Sequence, residues 1–187
     1  MQKLWQKKLK LTYSKEVIDI VQFGSSLFES KKPNDIDIAI IFNKIPVKEQ
    51  LIEIQKIKKQ LEIYSDLPIH IISFDLYSFF DENNFAKNDI LFYGLSLISQ
   101  DFFSKRFDLK PSLQIAYSLL KLKKKDKVRL HYALKGKNKK YGLLNKYHGL
   151  LISPGLIEVN PLYEETFVTA IKKITPNIKI KRYFENI

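Results

Sequence analysis

Two apolar stretches, residues 17–23 and 36–42, enclose a short polar segment and restrict what this chain can fold into. The first stretch ends at Gly24-Ser25, and the second begins directly after Asp35. Both are rich in valine or isoleucine, which favour β-strands. Because side chains alternate between the two faces of a strand, we expect Asp35 and Asp37 to lie on one face, near the glycine turn.

Two carboxylates on one strand face are suited to a particular metal. Mg²⁺ usually takes one or two carboxylates and completes its coordination with phosphate oxygens and water. The pair therefore predicts a site for a magnesium-bound triphosphate. The alternative is an ordinary glycine turn followed by a loop, because each half of the pattern is common when it occurs by itself.

The complete pattern consists of Gly24-Ser25, nine further residues and then Asp35-Ile36-Asp37, with apolar flanks. It resembles the signature of the DNA polymerase beta-like nucleotidyltransferase superfamily, in particular its minimal members, over about residues 1–100. The resemblance implies that Gly24 and Ser25 bind the outer phosphates of an NTP, with ATP favoured, at the start of a helix. It also implies that Asp35 and Asp37 are catalytic and bind Mg²⁺ or Mn²⁺.

The third family carboxylate is expected on the next strand, but the matching position holds His70. A neutral imidazole can accept a proton from an attacking hydroxyl near neutral pH. It is a poor ligand for Mg²⁺, which prefers oxygen. His70 is therefore a candidate catalytic base, and the alternative is that it occupies this position in a domain that has lost its activity. Asp75 lies five residues further on, at the far end of the strand.

Hydrophobic periodicity predicts the remaining elements of the first half. The spacing of Val47, Leu51 and Ile54 indicates an amphipathic helix, and the apolar run after Pro68 indicates a strand. The full set of predicted elements is a short amphipathic helix over 2–12, strands over 17–23, 36–42, 69–74 and 95–99, and helices over 25–30, 47–64, 76–80 and 84–93.

The second half is predicted to form a separate small α+β module. Pro111 is placed in the first turn of a helix, since proline is tolerated there. Pro154-Gly155 suits a type II turn in a hairpin, and Asn160-Pro161 suits the start of another helix. The predicted elements are helices over 112–120 and 128–134, a hairpin over 150–153 and 156–159, a helix after Asn160 and a final strand over 178–184.

These elements predict an α/β (α+β) fold class. The first domain, residues 1–108, is expected to be a nucleotidyltransferase-like mixed sheet flanked by helices. The second, residues 109–187, is expected to be a basic α+β domain that binds nucleic acid or another partner.

The net charge of +12 is concentrated in residues 105–146, a segment with fourteen lysines and arginines and only two aspartates. Such asymmetry indicates a polyanionic partner, and interleaved tyrosines are typical of single-stranded nucleic-acid binding, with RNA favoured. A solvated helix face is the alternative. The candidate nucleic-acid-binding residues are Lys123, Lys124, Lys125, Lys127, Arg129, Lys135, Lys137, Lys139, Lys140 and Tyr141. His131 and His148 are interpreted as ordinary residues or, at most, RNA contacts.

Cysteine is absent from the sequence, which excludes disulfides, thiolate zinc sites and a cysteine nucleophile. No apolar run reaches the ~18 residues that a membrane span requires, and the N-terminus lacks the apolar core of a signal peptide. We therefore predict a cytoplasmic protein without a membrane partner.

The leading functional hypothesis is a Mg²⁺-dependent nucleotidyltransferase that moves an NMP from an NTP to an acceptor. The basic segment favours an RNA or DNA 3′ hydroxyl as acceptor, and a hydroxyl of a protein such as a toxin partner stays open. The alternative is a catalytically degenerate nucleotidyltransferase-fold protein that acts as a nucleic-acid-binding or antitoxin-like protein.

Overall fold

The computed structural model describes residues 4–29, 32–137 and 141–187. The chain divides into two compact units, Met1–Asp108 and Leu109–Ile187. Each unit contains one four-stranded sheet with helices packed against it. The predicted α/β (α+β) class is therefore confirmed.

The first unit is built on a mixed sheet with the strand order β3-β2-β1-β4. Strands β1 and β2 pair antiparallel, and β2 and β3 pair parallel. Its elements are β1 (Val17–Phe23), β2 (Ile36–Phe42), α1 (Val47–Glu62), β3 (Ile69–Asp75), α2 (Leu76–Phe80), α3 (Lys87–Tyr93) and β4 (Leu95–Ser96), with 3-10 turns at Leu4–Gln6, Ser25–Leu27 and Phe103–Phe107.

Both faces of the sheet are covered at β2, because apolar residues occupy every position of this strand except Asp37 and six of its seven residues are buried. One face packs against Ile57 and Leu61 of α1. The opposite face, which includes Ala39 and Ile41, packs against Phe79 of α2 and its aromatic neighbours. Helices on both faces therefore hold β2 as the central, rigid strand that carries Asp37.

Two helix predictions for the first unit are wrong, and the strand predicted over 95–99 is shortened to Leu95–Ser96. The N-terminal segment forms only the 3-10 turn Leu4–Gln6 in place of a helix over 2–12, whose first residues lie outside the described part of the chain. Leu4 is nevertheless fully buried, so the expected packing onto the sheet is present. The helix predicted after Gly24 is likewise a single 3-10 turn of three residues.

The second unit is built on an antiparallel sheet with the strand order β6-β7-β5-β8. Its core joins Leu113 and Ile115 of the sheet to Leu130 and Phe167 of the helices. Its elements are β5 (Leu109–Tyr117), α4 (Lys124–Lys135), α5 (Leu143–Lys146), β6 (Leu150–Ser153), β7 (Leu156–Val159), α6 (Glu164–Lys172) and β8 (Ile178–Asn186), with a 3-10 turn at Pro161–Tyr163.

The helix predicted over 112–120 is wrong, because residues 109–117 form the central strand β5. Leu113, Ala116 and Tyr117 have helical spacing, but Leu113 and Ile115 are also compatible with the two-residue period of a strand. Pairing with β7 on one side and β8 on the other supplies the hydrogen bonds that decide between the two periods.

The hairpin of β6 and β7 is confirmed, with Gly155 at a φ of 94°, as a type II turn requires at this position. The Asn160 side chain accepts a hydrogen bond from the Leu162 amide at 2.9 Å, so the predicted cap is also confirmed. Across residues 4–29, 32–137 and 141–187, no helix is both long enough and apolar enough to traverse a bilayer.

Candidate functional site

Asp37 lies in a row of paired residues that crosses three strands of the first unit. Phe23 at the end of β1 is opposite Asp37, and Asp37 is opposite His70 of β3. The Nδ1 atom of His70 lies 3.3 Å from Oδ1 of Asp37. The His70 side chain is 64% exposed and that of Asp37 is 24% exposed, so the pair is accessible to solvent.

Gly24 brings the turn after β1 against the same carboxylate. Its φ of 74° and ψ of −160° lie in a region that only glycine adopts readily. A Cβ atom added at Gly24 would also clash with Oδ2 of Asp37. The two carboxylate oxygens of Asp37 therefore face different partners, with Oδ1 toward His70 and Oδ2 toward the backbone of Gly24.

Ser25 follows as the first residue of the 3-10 turn. The first intraturn hydrogen bond runs from the Leu27 amide to the Gly24 carbonyl at 3.3 Å. The amides of Ser25 and Ser26 precede that bond, and such amides are the usual anion donors of a turn. A single 3-10 turn contributes backbone donors without the dipole of a full helix.

Two polar residues that sequence analysis did not select hold this turn in place. The fully buried Gln22 accepts a hydrogen bond from the Trp5 amide at 3.2 Å and donates one to the Ser26 hydroxyl at 3.0 Å. The Ser26 hydroxyl is 3.4 Å from the Phe23 carbonyl, to which it donates. A glutamine within the apolar run of residues 17–23 is the sequence signal that could have identified this support.

Asp35 is half-buried and lies one residue before β2. The strand ladder already begins beside it, because the Ile36 amide donates to the Pro68 carbonyl at 2.9 Å. Side-chain alternation continued from β2 by one residue predicts that the Asp35 side chain is on the Asp37 side of the sheet.

Asp75, the acidic residue at the end of β3, caps α2. Its Oδ1 accepts a hydrogen bond from the Ser78 amide at 2.8 Å and caps α2. This hydrogen bond holds the pKa of the Asp75 carboxyl below its usual value. Asp75 lies five positions beyond His70, about 16 Å along the strand.

The donor set determines what this site could hold. Within the described residues, no three histidine, cysteine or acidic side chains are placed to hold a metal ion together. Asp35 and Asp37 supply carboxylate oxygens, which suit Mg²⁺ when phosphate oxygens and water complete its shell. The side chain that glycine lacks leaves room beside Oδ2 of Asp37, so these residues fit the expected ion as a two-carboxylate site.

A buried carboxylate outside this site, Asp19, was also missed. Its Oδ1 accepts a hydrogen bond from the Ser96 hydroxyl at 2.6 Å, and its Oδ2 pairs with Arg106 Nε at 2.9 Å. Burial raises the pKa of Asp19 above its usual value, against the lowering effects of Ser96 and Arg106. This pair joins β1 to β4 and to the 3-10 turn at residues 103–107.

In the second unit, α4 gathers part of the predicted basic segment. Leu130 and Leu134 form its buried side. On the exposed side, Val128 and Tyr132 lie one turn apart and have basic neighbours at three- and four-residue spacing. We call this set the α4 basic surface; it comprises Lys124, Lys125, Val128, Arg129, Tyr132 and Lys135.

The other predicted nucleic-acid contacts are distributed less regularly. Lys123 precedes the helix, Lys127 is exposed on its flank, and Lys137 is exposed beyond its end. Lys139 and Lys140 lie outside the described residues.

The tyrosines of the basic segment divide into two groups. Tyr132 is 50% exposed and Tyr141 is 84% exposed. Tyr117 packs against the apolar core, and Tyr147 stacks on Tyr163 with ring centroids 4.2 Å apart. Tyr132 and Tyr141 are therefore available to stack on a base, whereas Tyr117 and Tyr147 are structural.

Comparison of this chain with protein-family models, with curated proteins and with solved structures finds no match in any of the three.

Proposed function

We propose that this protein is a Mg²⁺-dependent nucleotidyltransferase that transfers an NMP from an NTP, with ATP favoured, to a nucleic-acid 3′ hydroxyl. The observation that supports it is the convergence of Gly24, Asp37 and His70 from β2, β3 and the turn after β1. That arrangement puts a glycine turn, a carboxylate and an exposed imidazole around one point.

Each residue has a distinct task in the proposed reaction. The amides of Ser25 and Ser26 bind the outer phosphates of the NTP, and Asp35 and Asp37 hold the metal ion. When bound, the ion neutralises charge on the phosphates. His70 directs Nδ1 toward Asp37, so the tautomer with the proton on Nδ1 leaves the Nε2 lone pair free to act as a base.

The proposed reaction needs only the NTP and the acceptor hydroxyl as reactants. The acceptor oxygen bonds to the α-phosphorus while the bond from that phosphorus to the bridging oxygen of pyrophosphate breaks. The proton of the acceptor hydroxyl moves to Nε2 of His70, and pyrophosphate leaves. Asp37 would stabilise the resulting imidazolium through its 3.3 Å contact with Nδ1.

The positive charge of the second unit supports nucleic acid as acceptor. The α4 basic surface combines four cationic side chains with an exposed tyrosine, a combination suited to phosphates and unpaired bases.

A second candidate is a nucleic-acid-binding or antitoxin-like protein on a nucleotidyltransferase-type scaffold without turnover. It is favoured by the histidine at the third acidic position and by the use of Asp75 as a helix cap. It keeps the α4 basic surface as its functional part.

Incubation with each labelled NTP, Mg²⁺ or Mn²⁺ and total cellular RNA and protein, followed by a denaturing gel, tests both candidates. Label in nucleic acid is the result expected from the proposal. Label in a polypeptide would assign a protein hydroxyl as acceptor. RNA binding without label, under every nucleotide and metal combination, would overturn the transferase assignment in favour of the second candidate.

A further inference from the structure

An open cleft of about 610 Å³ lies in the second unit between the end of α4, α5 and the start of β6. Leu144, Leu150 and Leu151 provide apolar walls, and Lys135, Asn145 and His148 provide polar groups. Its size falls within the range of small-molecule sites. Neither the two-aspartate site nor the sequence analysis accounts for it.

The cleft is continuous with the α4 basic surface, because Lys135 belongs to both. Tyr132 is exposed nearly one turn before Lys135 on the same helix. Beyond the helix, a Cβ added at Gly136 would lie 2.6 Å from the Tyr141 amide nitrogen, so the exposed Tyr141 also starts next to this end of α4. The cationic Lys135 thus lines the cleft, and the aromatic residues Tyr132 and Tyr141 are close to Lys135 along the chain or in space.

The polar groups of the cleft are held by its backbone. The Gly149 amide donates to the Leu144 carbonyl at 2.8 Å, which closes the turn after α5. His148 has a φ of 53°, a left-handed conformation that non-glycine residues seldom adopt. In this conformation His148 lines the cleft, beside the end of α5 that carries Asn145.

We propose that this cleft binds one unpaired base of a single-stranded nucleic acid whose phosphates lie along the α4 basic surface. The leucine side chains suit the flat face of a base, on which the imidazole of His148 can stack. The side-chain amide of Asn145 can form hydrogen bonds with the polar edge of the base. The four cations of the α4 basic surface favour a polyanion over a neutral ligand of the same size. The inference rests on the nucleic-acid acceptor of the proposed function and needs no transfer activity.

The test measures binding by fluorescence anisotropy with labelled 12-nucleotide single strands of RNA and DNA, without NTP or metal. In His148→Asn, asparagine retains the left-handed conformation but removes the ring, so misfolding is avoided. Leu150→Glu adds a carboxylate to a side chain that is 58% exposed at the cleft. Ile152→Glu is the matched control, because Ile152 is 51% exposed on the same strand and does not line the cleft.

We expect His148→Asn and Leu150→Glu to weaken binding about 5- to 100-fold, the loss of one stacked base, and Ile152→Glu to change it less than about twofold. A strand carrying 4-thiouridine should crosslink to residues 144–151. The ratio of RNA to DNA affinity identifies the preferred sugar. Equal losses in both glutamate variants, equal binding of duplex and single strands, or exclusive binding of acidic peptides would overturn the inference.

The proposed function and this inference can fail separately. Asp37→Asn should lower transfer at least about 100-fold and leave the anisotropy of single strands unchanged. Absence of label transfer by the wild-type protein, with intact cleft-dependent binding, would refute only the transferase. Cleft-independent binding with intact transfer would refute only the base site.

Discussion

The Nδ1 atom of His70 lies 3.3 Å from Oδ1 of Asp37, directly across the parallel pair of β2 and β3. The same carboxylate meets the turn at Gly24 through its other oxygen. A single aspartate therefore orients the imidazole and borders the turn, so changes at these three residues should have separable effects.

Replacing Asp37 by asparagine should lower transfer at least about 100-fold, because it removes a metal ligand and the negative charge beside His70. The side chain is partly exposed, so the fold should persist. Label incorporation and circular dichroism measure the two effects. Glu82→Gln makes the same charge change at an exposed site, and a similar loss there would contradict the assignment.

His70→Ala should reduce turnover by about 10²- to 10⁴-fold while nucleotide affinity stays nearly constant, because a general base acts only in the chemical step. Single-turnover rates and equilibrium nucleotide binding separate the two quantities. Asp75→Asn preserves the helix cap and should leave both unchanged. If Asp75→Asn removed activity and His70→Ala did not, Asp75 and not His70 would be the base.

Gly24→Ala should abolish transfer and destabilise the unit by about 1–3 kcal/mol, because alanine is strained at this φ and its Cβ displaces Asp37. Gly155→Ala is the control. In the β6–β7 hairpin, alanine at this position would have to adopt the φ of 94° of Gly155, and its Cβ would lie 2.8 Å from the Tyr117 carbonyl oxygen. Urea unfolding should detect both substitutions, whereas only Gly24→Ala should stop label transfer.

Arg106→Met should lower the free energy of unfolding by about 2–4 kcal/mol at pH 7, because it leaves the buried Asp19 carboxylate without its cation. Burial raises the folded-state pKa of Asp19. Between the unfolded-state pKa and this higher value, the folded state binds more protons than the unfolded state, so stability falls as pH rises through that range. The loss in Arg106→Met should therefore shrink as pH falls toward 4. A loss independent of pH between 4 and 7 would exclude this explanation.

The α4 basic surface should govern the salt dependence of single-strand binding. Replacing Lys124, Lys125 and Arg129 together by glutamine should flatten the log–log salt slope by roughly two units, since each contact with a single strand contributes about 0.7. Triple replacement of Lys48, Lys58 and Lys59 on α1 changes the charge equally and should leave the slope unchanged. Equal slopes for both triple variants would show that α4 is only a solvated surface.

Local sequence predicted most of the first unit correctly. The strands at 17–23 and 36–42 have the bounds expected from their β-branched runs, and α1 follows its apolar spacing. The candidate residues Gly24, Asp35 and Asp37 could be selected from the sequence, because glycine favours a turn and carboxylates two residues apart are expected on one face of a strand. Gln22 and Asp19 were missed because their partners are distant in sequence and appear only when the strands pair.

The sequence by itself determined the strands at 17–23 and 36–42, the helix α1, the place where positive charge accumulates and the position of Asp37 at the start of β2. These are local properties that a few neighbouring side chains define. Tertiary structure decided that residues 109–117 form a strand between two partners, since their apolar spacing fits both periods. It also decided that His70 faces Asp37 and Asp75 caps a helix, because strand register sets contacts between residues 33 positions apart.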